Sequence, residues 1–455
     1  MSGAPRNHEG RKNVSRDPGA IEYLFPLDAP RPTAMAHVPA LGLREDDWLY
    51  AGDTELSATT PMLIVRAGRD GALDPAFGEQ SQGSVVAYLD LAGGVLAGLI
   101  SRPGGGVIAV VRTNINYPLE AGLVGLTASG ELDSSFGDGS GKIIHPIPGP
   151  PATDVAAPHR SGCAERGAFV VHGAVASASA PADERFYCLI ASPGPYYALL
   201  RCLPNGRLDP TFADGGCKTE GDWFDNEWGA YDMVAHPDGR VTLVGVFVDH
   251  ENPRRVALWR LHADGSLDTT FGDGGRAFFE ADAMDLDGDT FVAMDLVGLE
   301  LLSNGDLVAC GNVEATTPTG ARRRFGVVGC FDSSGAPLAS FHGGKFALLK
   351  RIDDDVGFVD VGIQRGGESG DRIVVGGVIG TYDERNILVA RFATTGRLDG
   401  TFGNDGIVKV SGGFGPVNRM TTLFVDAAGK ILGAGAGGPD NTVGRMTSFV
   451  FQMST

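Results

Sequence analysis

The side chains of this chain that could do chemistry are carboxylates, and they are bunched. Glu220, Asp222, Asp225 and Glu227 form one group; Glu280, Asp282, Asp285, Asp287 and Asp289 a second; Asp353, Asp354 and Asp355 a third. Trp223, Phe224 and Trp228 sit among the first. Clustered carboxylates can hold a cation, attract a basic partner, or run acid–base chemistry where their surroundings drive their pKa values apart. The alternation of Asp285, Asp287 and Asp289 resembles the start of a calcium loop, which makes these three the candidate metal ligands and calcium the one cofactor worth naming. The match is incomplete: Thr290 stands where an EF-hand needs glycine, and Leu296 where it needs a bidentate glutamate. The tryptophans point toward a partner surface, since indoles are enriched at interface hot spots. The candidate partner-binding residues are Asp222, Trp223, Asp225, Trp228, Asp353, Asp354 and Asp355. A solvated acidic face of an acidic protein is the open alternative.

Other chemistry is poorly represented. No Ser–His–Asp pattern, nucleophile elbow, phosphate loop or zinc motif occurs, and Gly104–Gly106 is hairpin-turn chemistry rather than a phosphate cradle. The nine histidines share no common position. Abundant carboxylates in an acidic chain do not by themselves indicate catalysis. The formal net charge of −19 argues against a nucleic-acid partner. No run of eighteen or more apolar residues exists, so no membrane span is expected. The amino terminus lacks the apolar core of a secretory signal, which predicts a cytoplasmic protein or one exported without a cleavable signal. The six cysteines (163, 188, 202, 217, 310 and 330) lack metal-finger spacing and are expected to be buried thiols, with a disulfide near the third repeat left open.

The elements that must position these residues come from a repeat. L-D-P-A-F-G at 73–78 returns as L-D-S-S-F-G at 132–137, L-D-P-T-F-A at 208–213, L-D-T-T-F-G at 267–272, a worn L-A-S-F-H at 338–342 and L-D-G-T-F-G at 398–403. The anchor phenylalanines recur 59 to 76 residues apart, a period that signals a repeat architecture. Between motifs lie short apolar runs separated by D-G, N-G and G-G pairs, the signature of tight hairpins. Four runs, termed A to D, precede each motif, and a seventh set follows Phe402. Seven sets of four predict an all-β, seven-bladed propeller. Residues 1–18 read as a flexible polar tail and 19–455 as one domain, with units 19–77, 78–136, 137–212, 213–271, 272–341, 342–402 and 403–455. Insertions are expected at Ala178–Pro195, between strands C and D, and at Glu280–Thr290.

The pattern D-G-x-L-D-x-x-F-G-x-x-G, an apolar strand, then P-D-G-[KR]-[IV] resembles the bacterial delta-60 repeat family, over roughly residues 20–455. That resemblance implies a propeller and no established activity or catalytic residues. Arg66, Arg201, Arg260 and Arg391 on strand D accompany motif residues Asp74, Asp209, Asp268 and Asp399, which predicts an Arg–carboxylate brace within each unit. Gly125 faces Asp133, and the fifth unit is expected to carry Gly329 and Ala339 in the two brace positions. The phenylalanines are expected as buried wedges. If the A strands are innermost, Lys142, Lys218, Arg276 and Lys345 ring the channel mouth and would attract an anionic ligand. The function that fits is a non-enzymatic scaffold engaging a protein or glycan partner through face loops. The alternative is a propeller hydrolase or lyase with its site at the channel mouth, with or without the help of a metal. Oligomeric state is not encoded in any feature of the sequence.

Overall fold

The computed structural model describes residues 21–26, 40–43, 49–54, 61–68, 72–78, 83–88, 94–102, 104–113, 120–148, 173–175, 185–191, 197–220, 226–249, 255–350, 354–366, 370–381, 383–410, 413, 415–426, 428–440 and 447–453. These form antiparallel sheets of four strands. A single short 3₁₀ turn, Ala281–Ala283, is the helical element among them. Strand β1 is Ile21–Pro26. The first sheet is Ala40–Leu43, Leu49–Thr54, Pro61–Ala67 and Ser84–Tyr88 (β2–β5); the second is Gly94–Ser101, Val107–Thr113, Glu120–Leu126 and Lys142–Pro146 (β6–β9). The third is Gly173–Val175, Phe186–Ala191, Tyr197–Cys202 and Cys217–Glu220 (β10–β13). The fourth is Asn226–Ala235, Val241–Asp249, Arg255–Leu261 and Arg276–Phe279 (β14–β17). Thr290–Leu301, Leu307–Thr316, Arg322–Phe331 and Ala347–Leu349 (β18–β21) make the fifth. Asp355–Gln364, Arg372–Gly380, Arg385–Ala393 and Ile407–Val410 (β22–β25) follow, then Val417–Val425, Ile431–Gly438 and Thr447–Met453 (β26–β28). These last two groups are joined by one parallel bridge, Arg385 to Val417, and β1 completes the final group by pairing with β28.

The strands form where the sequence offers continuous apolar runs. Such runs suit strands covered on both faces, and β8 and β16 are buried over all but their first residue. Of the span 178–195, expected as an insertion, residues 186–191 are sheet. Its segment F-Y-C-L-I-A is β11, paired along its length with β12, because an apolar run of six is more stable in the sheet than in a surface loop. The five described cysteines are free and buried.

The sheets are offset by one strand from the units of the sequence. Each motif lies between the third and fourth strands of a sheet, and the strand after it is that sheet's last, not the next sheet's first. The first strands meet from sheet to sheet: β2 contacts β6, β6 contacts β10, and so on through β14, β18, β22 and β26, which contacts β2. Buried carboxylates stitch two of these meetings. Asp232 Oδ2 accepts the Leu299 N–H at 2.7 Å, and Asp360 Oδ2 accepts the Leu423 N–H at 2.7 Å and the Thr422 hydroxyl at 2.9 Å. Both stand at bulges, where an extra residue re-aims the side chain out of the ladder.

The motif supplies the second set of ties. Arg66 Nε donates to Asp74 Oδ2 at 2.6 Å, Arg201 to Asp209 at 2.8 Å, Arg260 to Asp268 at 2.7 Å and Arg391 to Asp399 at 3.1 Å. Each guanidinium lies over its motif phenylalanine, 4.7 to 4.9 Å from the ring centroid. In three units it also crosses the junction: Arg66 Nη1 donates to the Ala128 carbonyl at 2.5 Å, and Arg201 and Arg260 reach Ala263 and Ser333 in the same way. The backbone follows, with Ala213 N–H on the Asp264 carbonyl and Gly272 N–H on that of Ser334, both at 2.7 Å. Phe77, Phe136, Phe212, Phe271 and Phe402 are fully buried at these junctions, each contributing roughly 2–3 kcal/mol by removal from water.

Two units solve the same problem differently. In the second, a Cβ on Gly125 would lie 2.6 Å from the Phe136 ring, so the ring takes the arginine's room. Arg102, from the preceding hairpin turn, supplies the guanidinium to Asp133 at 2.5 Å. In the fifth unit the slots are held by Cys330 and Leu338, not by Gly329 and Ala339. The Leu338 N–H bonds the Cys330 carbonyl at 2.9 Å, as Asp268 bonds Arg260 at 2.8 Å, and Pro337 takes the bridge position of Leu267. The one-residue slip arises because Leu338 mimics the motif leucine. Here an apolar pair replaces the ion pair, packed with Phe341 in one cluster.

Removing one partner of a buried pair leaves the other charge uncompensated. Asp268→Ala should therefore cost about 3 kcal/mol in urea unfolding, whereas Arg260→Cys with Asp268→Leu, the fifth unit's own solution, should cost less. Equal losses would contradict this account of the brace. The pair also sets an acid limit. Burial pushes the Asp268 carboxyl up, but hydrogen bonds from Thr270 and from Arg260 outweigh it and bring it to about 2, below its ordinary 3.8. A depressed folded value stabilises above the unfolded pKa, so this contribution is present above about pH 4 and lost as pH falls toward 2. Urea titrations between those limits should show a shallower pH slope in Asp268→Ala.

Candidate functional site

Connections alternate between the two ends of each sheet. The tight turns after β14 and β18 and all the motifs share one end; the connections leaving β17 and β21 lie at the other. The best-described acidic connection, 280–289, is tethered at this second end. Met284 is buried and bridges Phe346, whose N–H bonds the Ala283 carbonyl at 2.8 Å. Asp285 Oδ1 accepts the Asp287 N–H at 3.2 Å, and the Asp289 N–H reaches the Leu286 carbonyl at 3.0 Å. Asp282, Asp285 and Asp287 are exposed and Asp289 is half-buried, with Val292 exposed just beyond them.

The end is a charge mosaic rather than a bare carboxylate field. Lys350 Nζ lies 2.7 Å from Asp287 and 5.4 Å from the Phe325 ring centroid. Its hydrogen bond and charge hold the Asp287 carboxyl below the usual range. Asp354 faces Lys409 at 3.6 Å. Asp355 Oδ1 accepts the Arg324 N–H at 3.0 Å, and Arg324 Nη2 pairs with Glu314 at 3.0 Å. Single-sequence inspection cannot find these partners, because each comes from a different strand. No group of three or more His, Cys, Asp or Glu side chains that could hold a metal ion occurs among the described residues, and of the candidate ligands Asp285, Asp287 and Asp289 the middle one is committed to Lys350.

Of the other residues singled out by sequence, Asp222, Trp223, Asp225 and Asp353 lie outside the described residues. Trp228 stands in β14 opposite Phe247, in a strand and not in the connection where the sequence placed it. Its neighbours Asn226 and Glu227 also join the ladder, which lengthens β14 at the loop's expense. The proposed cation ring at a channel mouth is corrected. Lys142, Lys218 and Arg276 stand on the last strands β9, β13 and β17, and Lys345 just before β21, at the sheet edge away from the first strands that meet. Because the motif falls inside the sheet, the strand after it is that sheet's last and is not one of the first strands that meet. Lys218 instead pairs with Glu220 at 3.0 Å. Sequence inspection also passed over Asp232 and Asp360, whose only signal is an aspartate inside an apolar strand.

Comparison with known proteins adds one family match. Residues 236–271, from the turn before β15 through the motif to Phe271, match the model described as a domain of unknown function (DUF5122) beta-propeller. A search of curated proteins returns no match. Among solved structures, a protein of unknown function from Dyadobacter fermentans is similar at 8% identity, covering 92% of this chain and 94% of that one, with a TM-score of 0.42. The beta-propeller domain of the Trilobed protease from Pyrococcus furiosus is similar at 8% identity over 92% and 98% of the two chains, TM-score 0.41. An ulvan lyase of polysaccharide lyase family PL25 is similar at 8% identity over 96% and 95%, TM-score 0.43.

The mosaic has a direct test. Lys350→Ala should let the Asp287 carboxyl titrate closer to its ordinary value, followed by carboxyl carbon shifts. The melting temperature should stay unchanged, since exposed ion pairs contribute little to stability. An unmoved Asp287 titration would remove Lys350 from the account.

Proposed function

We propose that the chain closes into a seven-bladed β-propeller of delta-60 repeats and serves as a non-enzymatic binding scaffold. It engages a protein or glycan partner through the loops at its acidic end. Support for the ring comes from the first strands, which meet in succession back to β2, and from β1 completing the last sheet. The observation that carries the function is the tethering of the 280–289 connection. Buried Met284 and the Phe346–Ala283 hydrogen bond fix a loop whose Asp282, Asp285 and Asp287 face solvent. A fixed loop loses little conformational entropy on binding, so its charges are preorganised for a partner. Arg324, Lys350 and Lys409 among the acids favour a partner with both signs of charge, basic where it meets Asp282 and Asp285. Asp222, Trp223, Asp225, Trp228, Asp353, Asp354 and Asp355 extend the same surface in this proposal.

The experiment is capture of a partner from extract of the native host on immobilised protein. The quadruple variant of Asp282, Asp285, Asp287 and Asp289 to Asn, and Trp223→Ala, are run in parallel. Wild type should retain a partner at low salt and release it as ionic strength rises, because exposed charges are screened over about 10 Å at 0.1 M. The quadruple variant should lose it while melting normally. Equal capture by that variant would end the claim for this loop.

A further inference from the structure

We propose that the motif-end junction between the fifth and sixth sheets binds a small organic anion: a carboxylate or phosphate monoester on an apolar body. The site is a cleft of about 720 Å³ lined by, among others, Ser340, His342, Phe392, Thr395, Arg397 and Leu398. It lies at the end opposite the acidic loops and does not depend on the scaffold proposal.

Three independent features converge here. First, of the six motif copies, this one alone carries neither brace residue, since Cys330 and Leu338 hold the slots. No arginine from that slot crosses this junction, as Arg201 and Arg260 cross theirs. Second, the residue after the motif phenylalanine has a positive φ in all six copies, and four of them use glycine there (78, 137, 272 and 403). The cleft has His342 instead, at φ 45°. A bulky side chain in that left-handed region is strained, and retained strain concentrates at binding sites. The histidine is held in place: its N–H donates to the Thr395 carbonyl at 3.0 Å, and a side chain at Gly396 would meet its Cβ at 2.9 Å. Third, the lining carries a guanidinium, an imidazole and two hydroxyls but no carboxylate, in a chain of net charge −19.

The chemistry of the ligand follows from that lining. Arg397 offers the planar fork that suits carboxylate and phosphate oxygens. Ser340, Thr395 and His342 add shorter-range donors. Leu348 and Leu398, both partly exposed, supply apolar surface for the body of the ligand.

Benzoate and phenyl phosphate are suitable probes, with neutral benzyl alcohol and cationic benzylamine as controls, each titrated into the full chain while backbone amide shifts are followed. Both anions should perturb amides at 340–343 and 395–398 and bind more tightly than either control. Arg397→Ala should weaken them about tenfold, and Arg397→Lys less. His342→Gly should weaken them severalfold without lowering the melting temperature, because it relieves the backbone strain. Since both side chains are exposed, a folded variant is expected in every case. The proposal is overturned if benzyl alcohol binds as well as benzoate, if the perturbed amides lie elsewhere or do not move, or if Arg397→Ala binds normally.

Discussion

The fold depends on an arginine that makes three contacts at once. In the units of Arg66, Arg201 and Arg260, one guanidinium neutralises the motif aspartate, covers the motif phenylalanine and bonds a carbonyl of the following unit. Each contact makes the others cheaper: the aspartate offsets the charge that the aromatic face and the junction force out of water. The arrangement couples pairing inside a sheet to docking between sheets, so a repeat that forms correctly is also set for its neighbour. Where the arginine is missing, the chain compensates with a different donor at Arg102 or with an apolar pair at Cys330 and Leu338. The constraint being served is therefore the filled junction, and the ion pair is its commonest solution.

The periodicity legible in the sequence carried the strand content, the buried phenylalanines and the Arg–Asp pairs, because all three recur and repetition separates signal from composition. What it could not carry was phase. Nothing in a repeating string marks where one sheet stops, so the motif, which ends each unit as written, proves to sit inside a sheet. That single offset moved Lys142, Lys218, Arg276 and Lys345 from the expected channel mouth to the sheet edge away from the first strands that meet. The worn fifth copy was misaligned by one residue for a related reason: Leu338 imitates a motif leucine while occupying the aspartate's place.

The acidic end was legible only as composition. The carboxylates were visible, but Lys350, Lys409 and Arg324, which turn the patch into a mosaic, come from strands far apart in sequence. The inner carboxylates Asp232 and Asp360 were hidden differently. An aspartate within an apolar strand has no obvious meaning until a bulge turns it toward the amide of the adjoining first strand. At the motif end, the substitution of histidine for glycine after Phe341 was visible in the sequence, yet its backbone angle and the cleft beside it belong to the three-dimensional arrangement alone.

The pairing of β1 with β28 has a consequence for how such a chain reaches its final state. Ile21 lies opposite Met453 in register, a contact spanning nearly the whole sequence, while most other ladders join strands close in the chain. Local hairpins can form as the polypeptide leaves the ribosome, each aided by short loop closure. The last sheet cannot be completed until its final strand has been synthesised, and an early strand must stay available until then. Until β1 docks, β28 has an open edge, which is a template for pairing with another chain. Completion of this sheet therefore rests on a single very long-range closure, and a molecule in which it has not yet happened carries an aggregation-prone edge.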